Sequence, residues 1–175
     1  MIHDGSGTDK PEPTYRRPTV ADGPAVWRLV KEVGTLDLNS SYAYLLLCRD
    51  FAETCVIAEL EGKVCAFLTG YIPPGEVDTL FVWQVGVGRS ARGLGVASGL
   101  LKHLLLREGN KGVRHLETTV SPSNTASRAL FTSLARRLET EISESPGFPA
   151  ELLSEDGHEP EPRLRIGPIE PSTLA

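Results

Sequence analysis

The stretch from Thr79 to Leu105 confines this chain more than any other. Thr79–Val87 reads as a β-strand, glycines follow at 86, 88, 93 and 95, and Val96, Leu100, Leu101, Leu104 and Leu105 then recur at helical spacing. A strand that feeds a glycine-rich turn and then a helix leaves free backbone N–H groups at the positive end of a helix dipole. Such a turn binds anions, phosphate above all. Two nucleotide motifs compete for it and both fail. Gly88 to Gly93 has P-loop spacing, but Leu94-Gly95 stands where Lys and Ser/Thr must follow. Gly86, Gly88 and Ala91 satisfy G-x-G-x-x-A, yet that fingerprint opens a parallel βαβ unit, and here a hairpin precedes it.

The hairpin comes from two β-rich runs, Cys55–Leu60 and Lys63–Tyr71, around Glu61-Gly62. Upstream, Tyr15–Arg17 is a short strand, and Thr19 with Asp22 resembles a capping box before Val26, Leu29, Val30 and Val33. A second helix is expected from about Ser41 to Phe51, with Tyr42, Leu45 and Leu46 on one face. Downstream come a strand over His115–Val120, a helix over Pro122–Leu138, and strands over Leu138–Ile142 and Arg163–Ile169 around a polar loop rich in proline. This order mixes a hairpin with a βαβ crossover. It implies an α/β fold with one mixed sheet and helices on both faces. At 175 residues the chain suits one such domain, expected over residues 14–170, with a mobile tail at 1–13 and a flexible end at 171–175.

Composition excludes several classes. No apolar run is long enough to span a membrane, and Met1–Pro13 lacks the core of a secretory signal, so the expected address is the cytoplasm. Cys48, Cys55 and Cys65 form no C-x-x-C pair and the four histidines are scattered, so neither a disulfide framework nor a metal site is expected. Net charge is -5, but it is segregated. Between Arg89 and Arg137 nine basic residues face two acids, a local +7, whereas Leu138–Pro162 holds eight acids and no base. The first segment favours an anionic ligand and the second a cationic one. Nucleic-acid binding is not expected, because the basic residues alternate with a helix face that must be buried.

Arg92, Gly95 and Ala97 give R-x-x-G-x-A on the strand-turn-helix. This resembles the acyl-coenzyme A site of the GCN5-related N-acetyltransferases, and the element order is also theirs. The resemblance implies their fold: a mixed, mostly antiparallel sheet of six or seven strands with a splay between two central strands. It also implies acetyl-CoA as co-substrate, with the amides of Arg92, Gly93, Leu94, Gly95, Val96 and Ala97 on the diphosphate and the backbone of Val85 and Val87 beside the pantetheine arm. The family's second marker, an Asn opening the next helix, is met by Asn124 in Asn124-Thr125-Ala126-Ser127-Arg128, which adds Ser127 and Arg128 to the cofactor side; Asn124 also suits a plain helix cap. One position departs. Where many members carry a Tyr that reprotonates the leaving thiolate, this chain has Phe131.

Asp37-Leu38-Asn39-Ser40-Ser41-Tyr42-Ala43-Tyr44, with Trp83-Gln84-Val85, is similar to the branch of that family that acetylates L-2,4-diaminobutyrate in ectoine synthesis. The resemblance implies a small dicationic amino acid as substrate and a homodimer. Two ammonium groups need carboxylates, for which Asp37 and Glu161 are the candidates, with His158 beside them, Asn39 in the same stretch and Trp83 packing on the aliphatic chain. Asp37 and Tyr42 are the candidate catalytic residues, Tyr42 as the acid in place of Phe131. The amine is expected to attack acetyl-CoA directly, since no cysteine is placed for a covalent intermediate. Another small diamine or amino acid as acceptor, and a non-catalytic acyl-CoA-binding module, are the alternatives these residues leave open.

Overall fold

A computed structural model describes residues 11–153, 157–170 and 173. Residues 1–10 of the expected tail, and all of 171–175 but Thr173, lie outside the described residues. Seven strands form one sheet: β1 Thr14–Arg16, β2 Val56–Leu60, β3 Lys63–Tyr71, β4 Thr79–Val87, β5 His115–Thr119, β6 Ile142–Phe148 and β7 Glu161–Ile166. Their order is β1-β2-β3-β4-β5-β7-β6. Every pairing is antiparallel except β4 with β5. The β2–β3 turn places Glu61 and Gly62 at φ +51° and +75°, the geometry a two-residue hairpin demands.

Helices α1 (Gly23–Val33) and α2 (Ser41–Asp50) cover one face, and α3 (Val96–Leu106) and α4 (Thr125–Arg137) the other; α5 is the single turn Ala150–Leu153. The larger core joins Leu100, Leu101 and Leu104 of α3 to Val56, Ala66, Leu68, Leu80 and Val82 of the sheet. The smaller joins Val26, Leu29 and Val30 of α1, and Tyr44, Leu47 and Cys48 of α2, to Ile57 and Phe67. Here α2 departs from its sequence reading. Tyr44, Leu47 and Cys48 point inward at i, i+3, i+4 spacing, while Tyr42 is 64% exposed. Five of six consecutive residues from Tyr42 to Leu47 are large and apolar, so periodicity could not choose the inner face.

Two further details differ. The expected strand at Leu138–Ile142 begins at Ile142 and continues through Pro146 to Phe148. An edge strand tolerates a proline because half its N–H groups need no partner, and the pairing with β7 is irregular between Ser145 and Phe148. Residues 150–153, read as loop, form α5.

Before α1, Arg16 forks onto Asp22 at 2.8 and 2.9 Å and also reaches Glu59 at 2.7 Å. The Thr19 amide adds a 2.7 Å bond to the same Asp22 carboxylate. Arg16 therefore holds Asp22, whose side chain is 11% exposed, down to about 2 from its ordinary 3.8. A depressed carboxylate stabilises the fold above its unfolded pKa and ceases to do so as pH falls through the folded one. Asp22→Asn is expected to cost about 2 kcal/mol at pH 7, at about 1.4 kcal/mol per pKa unit. The gap in Tm between variant and wild type should close as pH falls from about 4 to about 2; a gap that persists there contradicts this.

Candidate active site

Strand β4 pairs with β5 only from Thr79–His115 to Phe81–Glu117. Beyond Phe81 the two strands part. The amide of Gly88 bonds to the Cys65 carbonyl of β3 at 2.8 Å. Hydrogen-bonding direction alternates along a strand, so Gly86 and Gln84 also turn their backbone toward β3, and Val85 and Val87 turn theirs into the splay. Arg92 Nε donates to the Val87 carbonyl at 3.4 Å, on that open side.

A bulge governs what β4 shows to each face. Thr69 pairs with Gln84 and Gly70 with Val82, which leaves Trp83 as the extra residue. One inserted residue reverses the alternation that follows it. Leu80 and Val82 before the bulge, and Val85 and Val87 after it, pack toward α3. Gln84 is thereby turned to the α1–α2 side and meets Tyr44 at 3.1 Å. Gly86 lies on that side too, where a Cβ would stand 2.3 Å from the Phe67 ring.

The splay opens on a cavity of about 590 Å³ lined by Asp37 from the loop after α1, Trp83, Gln84 and Val85 of β4, Thr119 at the end of β5, Asn124, Ser127 and Phe131 of α4, and His158 and Glu161. Thus Asp37, Trp83, His158 and Glu161 of the expected substrate group, and Val85, Asn124 and Ser127 of the expected cofactor group, share one space. Asn39 stands behind it, with its amide and its Nδ2 each 3.5 Å from Tyr44 Oη. Tyr42 is not brought there: α2 turns it to solvent, so in a single chain it reaches no reacting atom. Phe131 is a buried wall residue. None of the three cysteines lines the cavity. Burial pushes Cys48 up to about 12 and Cys55 up to about 11, far from the thiolate form.

The segment holding His158 and Glu161 is tied to the β5–α4 connection. Glu159 accepts from the amide of Ser123 at 3.2 Å and from its hydroxyl, and Glu161 accepts from Thr119 Oγ1 at 2.7 Å. His158 Nδ1 lies 3.0 Å from the Glu159 carbonyl, which can only accept, so Nδ1 carries the proton. That bond, followed by the charges of Asp37 and Glu161, raises the imidazole above its ordinary 6.5.

At the other end of β4, the Arg92–Gly95 turn is exposed, and Gly93 and Gly95 take φ +75° and +72°. A Cβ at either would meet nothing within 4 Å. The Gly99 amide bonds back to Gly95 at 3.1 Å, so the amides of Val96, Ala97 and Ser98 precede the helical ladder and face outward. The surrounding positive charge is more local than the sequence implies. Lys111 pairs with Glu108, Arg114 with Glu170 and Arg128 with Glu144, while Arg107 is occupied by the carbonyls of Ala52 and Cys55. Arg128 is engaged through Nη2 by an acid of the following segment, while its Nη1 has no partner among the described residues. Arg89 and Arg92 remain beside the turn. Asn124 caps α4, with Oδ1 accepting from the Ser127 amide at 3.1 Å. Among the described residues no cluster of side chains could hold a metal ion, and no helix is long and apolar enough to cross a membrane.

A splayed β4–β5 pair, outward amides at the start of α3 and a cavity between them define an acyl-CoA-dependent N-acyltransferase architecture. The chain belongs to the acetyltransferase (GNAT) family, whose profile matches residues 25–135, and within it to the L-2,4-diaminobutyric acid acetyltransferases. It is 51% identical over 155 residues to that enzyme from Marinococcus halophilus, covering 89% of this chain and 90% of the relative. It is 43% identical over 169 residues to that of Chromohalobacter salexigens, covering 96% and 88%. Among solved structures it is similar to diaminobutyrate acetyltransferase from Paenibacillus lautus, in complex with its substrate L-2,4-diaminobutyric acid and coenzyme A. The TM-score there is 0.88 at 44% identity, over 91% of this chain and 96% of that one. The ribosomal-protein-S18-alanine N-acetyltransferase of Escherichia coli shares the fold, at TM-score 0.67 and 20% identity.

Sequence reasoning missed Tyr44, Gln84, Thr119 and Ser123. Thr119 and Ser123 flank a strand-to-helix turn next to Asn124, a place where hydroxyls commonly bond to neighbouring segments. Gln84 carried no such signal, because its direction depends on the bulge.

Proposed function

We propose that the protein transfers the acetyl group of acetyl-CoA to the 4-amino group of L-2,4-diaminobutyrate, the acetylation of ectoine synthesis, by direct attack in a ternary complex. The observation that carries this reading is the convergence of Asp37, Glu161 and His158 with the open edge of β4 in one cavity. Coenzyme A enters with its diphosphate on the amides from Arg92 to Ala97 and its pantetheine arm along Val85 and Val87. The thioester then lies at the splay. Asp37 pairs with the 2-ammonium, Glu161 and His158 lie beside the amine that reacts, and Trp83 covers the aliphatic chain.

An ammonium of pKa near 10 is neutral in about one molecule in a thousand at pH 7, so the reacting nitrogen must lose its proton in place. Water held by Glu161 and His158 takes it. The neutral nitrogen forms its bond to the carbonyl carbon, and the oxyanion is stabilised by the Val85 N–H, which faces the splay. The nitrogen, now cationic, gives its second proton to the same water, and collapse breaks the C–S bond. With Phe131 apolar and Tyr42 outside the cavity, the thiolate takes its proton from water.

The raised His158 pKa gives a pH test. Below that pKa an imidazolium stands beside Asp37 and Glu161 and competes with the substrate's ammonium. Hence kcat/KM for diaminobutyrate should rise as pH climbs through a step that lies above histidine's ordinary 6.5. His158→Asn should lose that step while keeping the later limb that belongs to the substrate amine. A wild-type profile with no such step removes His158 from the site.

A homodimer is the proposed assembly, supported by the exposed apolar side chains Leu38, Tyr42, Phe148 and Leu152. The proposed location is the cytoplasm, in keeping with three free, buried cysteines. A panel of small diamines and amino acids, with release of free thiol as the readout, tests the substrate assignment. Diaminobutyrate should give the highest kcat/KM. A better acceptor elsewhere in the panel overturns the assignment, and no release with any amine would leave acyl-CoA binding without catalysis.

A further inference from the structure

Tyr44 is fully buried on α2, yet its hydroxyl is not idle. It donates to Gln84 Oε1 at 3.1 Å, and Gln84 Nε2 donates to the Asp37 carbonyl at 2.9 Å. The amide of Asn39 and its Nδ2 both lie 3.5 Å from the same hydroxyl, on its accepting side. A hydroxyl has one proton, and here it fixes which end of the Gln84 amide faces which partner. With Oε1 turned to Tyr44, Nε2 is left for Asp37; the reversed amide would set oxygen against the Asp37 carbonyl. The residues from Thr35 to Asn39 belong to no helix or strand, so these bonds tie them to the sheet.

We propose that Tyr44 is a positioning residue for the transfer reaction: through Gln84 it fixes the Asp37 loop over the splay and so sets how tightly the amino-acid substrate is held. This rests on the reading of Asp37 as the partner of the 2-ammonium. The bulge at Trp83 makes the relay possible, because without it Gln84 would face α3. Tyr44 and Gln84 are buried, Gln84 at 5% exposure, so their bond is shielded from competing water, while the Gln84–Asp37 bond lies at the cavity wall. It touches the amino-acid end of the cavity and leaves the Arg92–Ala97 turn alone.

The test is a cycle of Tyr44→Phe, Asp37→Ala and the double variant, with both Michaelis constants measured in each. Tyr44→Phe keeps the ring and deletes the hydroxyl. It should raise KM for diaminobutyrate about tenfold and leave KM for acetyl-CoA within about twofold. In the Asp37→Ala background it should add little, because the group it positions is gone. Gln84→Met, of similar size, should reproduce the pattern and carries the test if Tyr44→Phe does not fold. A merely structural role would lower Tm and shift both constants together, or neither, and either result overturns the proposal. A raised KM in Asp37→Ala beside an unchanged one in Tyr44→Phe overturns the positioning role alone. An unchanged KM in Asp37→Ala overturns the Asp37 assignment and, with it, the route through which Tyr44 acts.

Discussion

Asp37→Ala should raise KM for diaminobutyrate by about 30-fold or more while KM for acetyl-CoA stays near its wild-type value. Losing a charge-assisted hydrogen bond costs about 1.5–3 kcal/mol. The proposed partner of Asp37 is the substrate's 2-ammonium; Asp37 is exposed in the free protein, and a bound amino acid would cover it beside Trp83 and Phe131. Glu161 stands in the same cavity, but Thr119 Oγ1 already occupies one of its oxygens at 2.7 Å, so it should compensate poorly. Steady-state kinetics with each substrate varied in turn gives the answer. Equal rises in both constants would point to a disordered cavity rather than to a lost ion pair.

Gly95→Val should raise KM for acetyl-CoA tenfold or more, an effect of at least about 1.4 kcal/mol. Two causes act together. The φ of +72° is one that β-branched residues scarcely adopt, so the turn must shift. The space in front of Gly95 is open to 4 Å, and it is the space the diphosphate would occupy. Strain alone can be separated from blocked access. Gly75, at φ +88° with nothing within 4 Å of its Cβ position, lies on the β3–β4 loop away from the turn. Gly75→Val should lower Tm and leave KM for acetyl-CoA alone. A folded Gly95→Val with unchanged KM for acetyl-CoA would remove the diphosphate from this turn.

The contrast between these sites shows what a sequence can carry. The glycine turn was legible because backbone geometry dictated the residues: positive φ at Gly93 and Gly95 and a helix start at Val96 leave little choice of side chain. The antiparallel hairpin was legible in the two β-rich runs around Glu61-Gly62, whereas the splay came only from the family resemblance. Asp37, Trp83, His158 and Glu161 were picked out as charge and shape that would suit a dication, and one cavity brings all four together. What escaped depended on tertiary context. Tyr42 and Tyr44 lie two residues apart on a helix with apolar side chains on most sides, and only packing against Ile57 and Phe67 decides which turns in. The inserted residue at Trp83 leaves no mark on an apolar strand, yet it determines where Gln84 points. The basic segment misled in degree, because Arg107, Lys111, Arg114 and Arg128 are engaged by carbonyls and acids supplied by other segments or by the preceding turn.

A cavity that holds diaminobutyrate by its 2-ammonium presents only the far nitrogen to the thioester. NMR of the product made from L-2,4-diaminobutyrate and acetyl-CoA tests that claim most directly. The acetyl group should be found on the 4-nitrogen alone, with one equivalent of free thiol released per acetyl transferred. The 2-N-acetyl isomer, alone or in mixture, would contradict it, because a substrate held at Asp37 by its 2-ammonium has no means of offering that nitrogen.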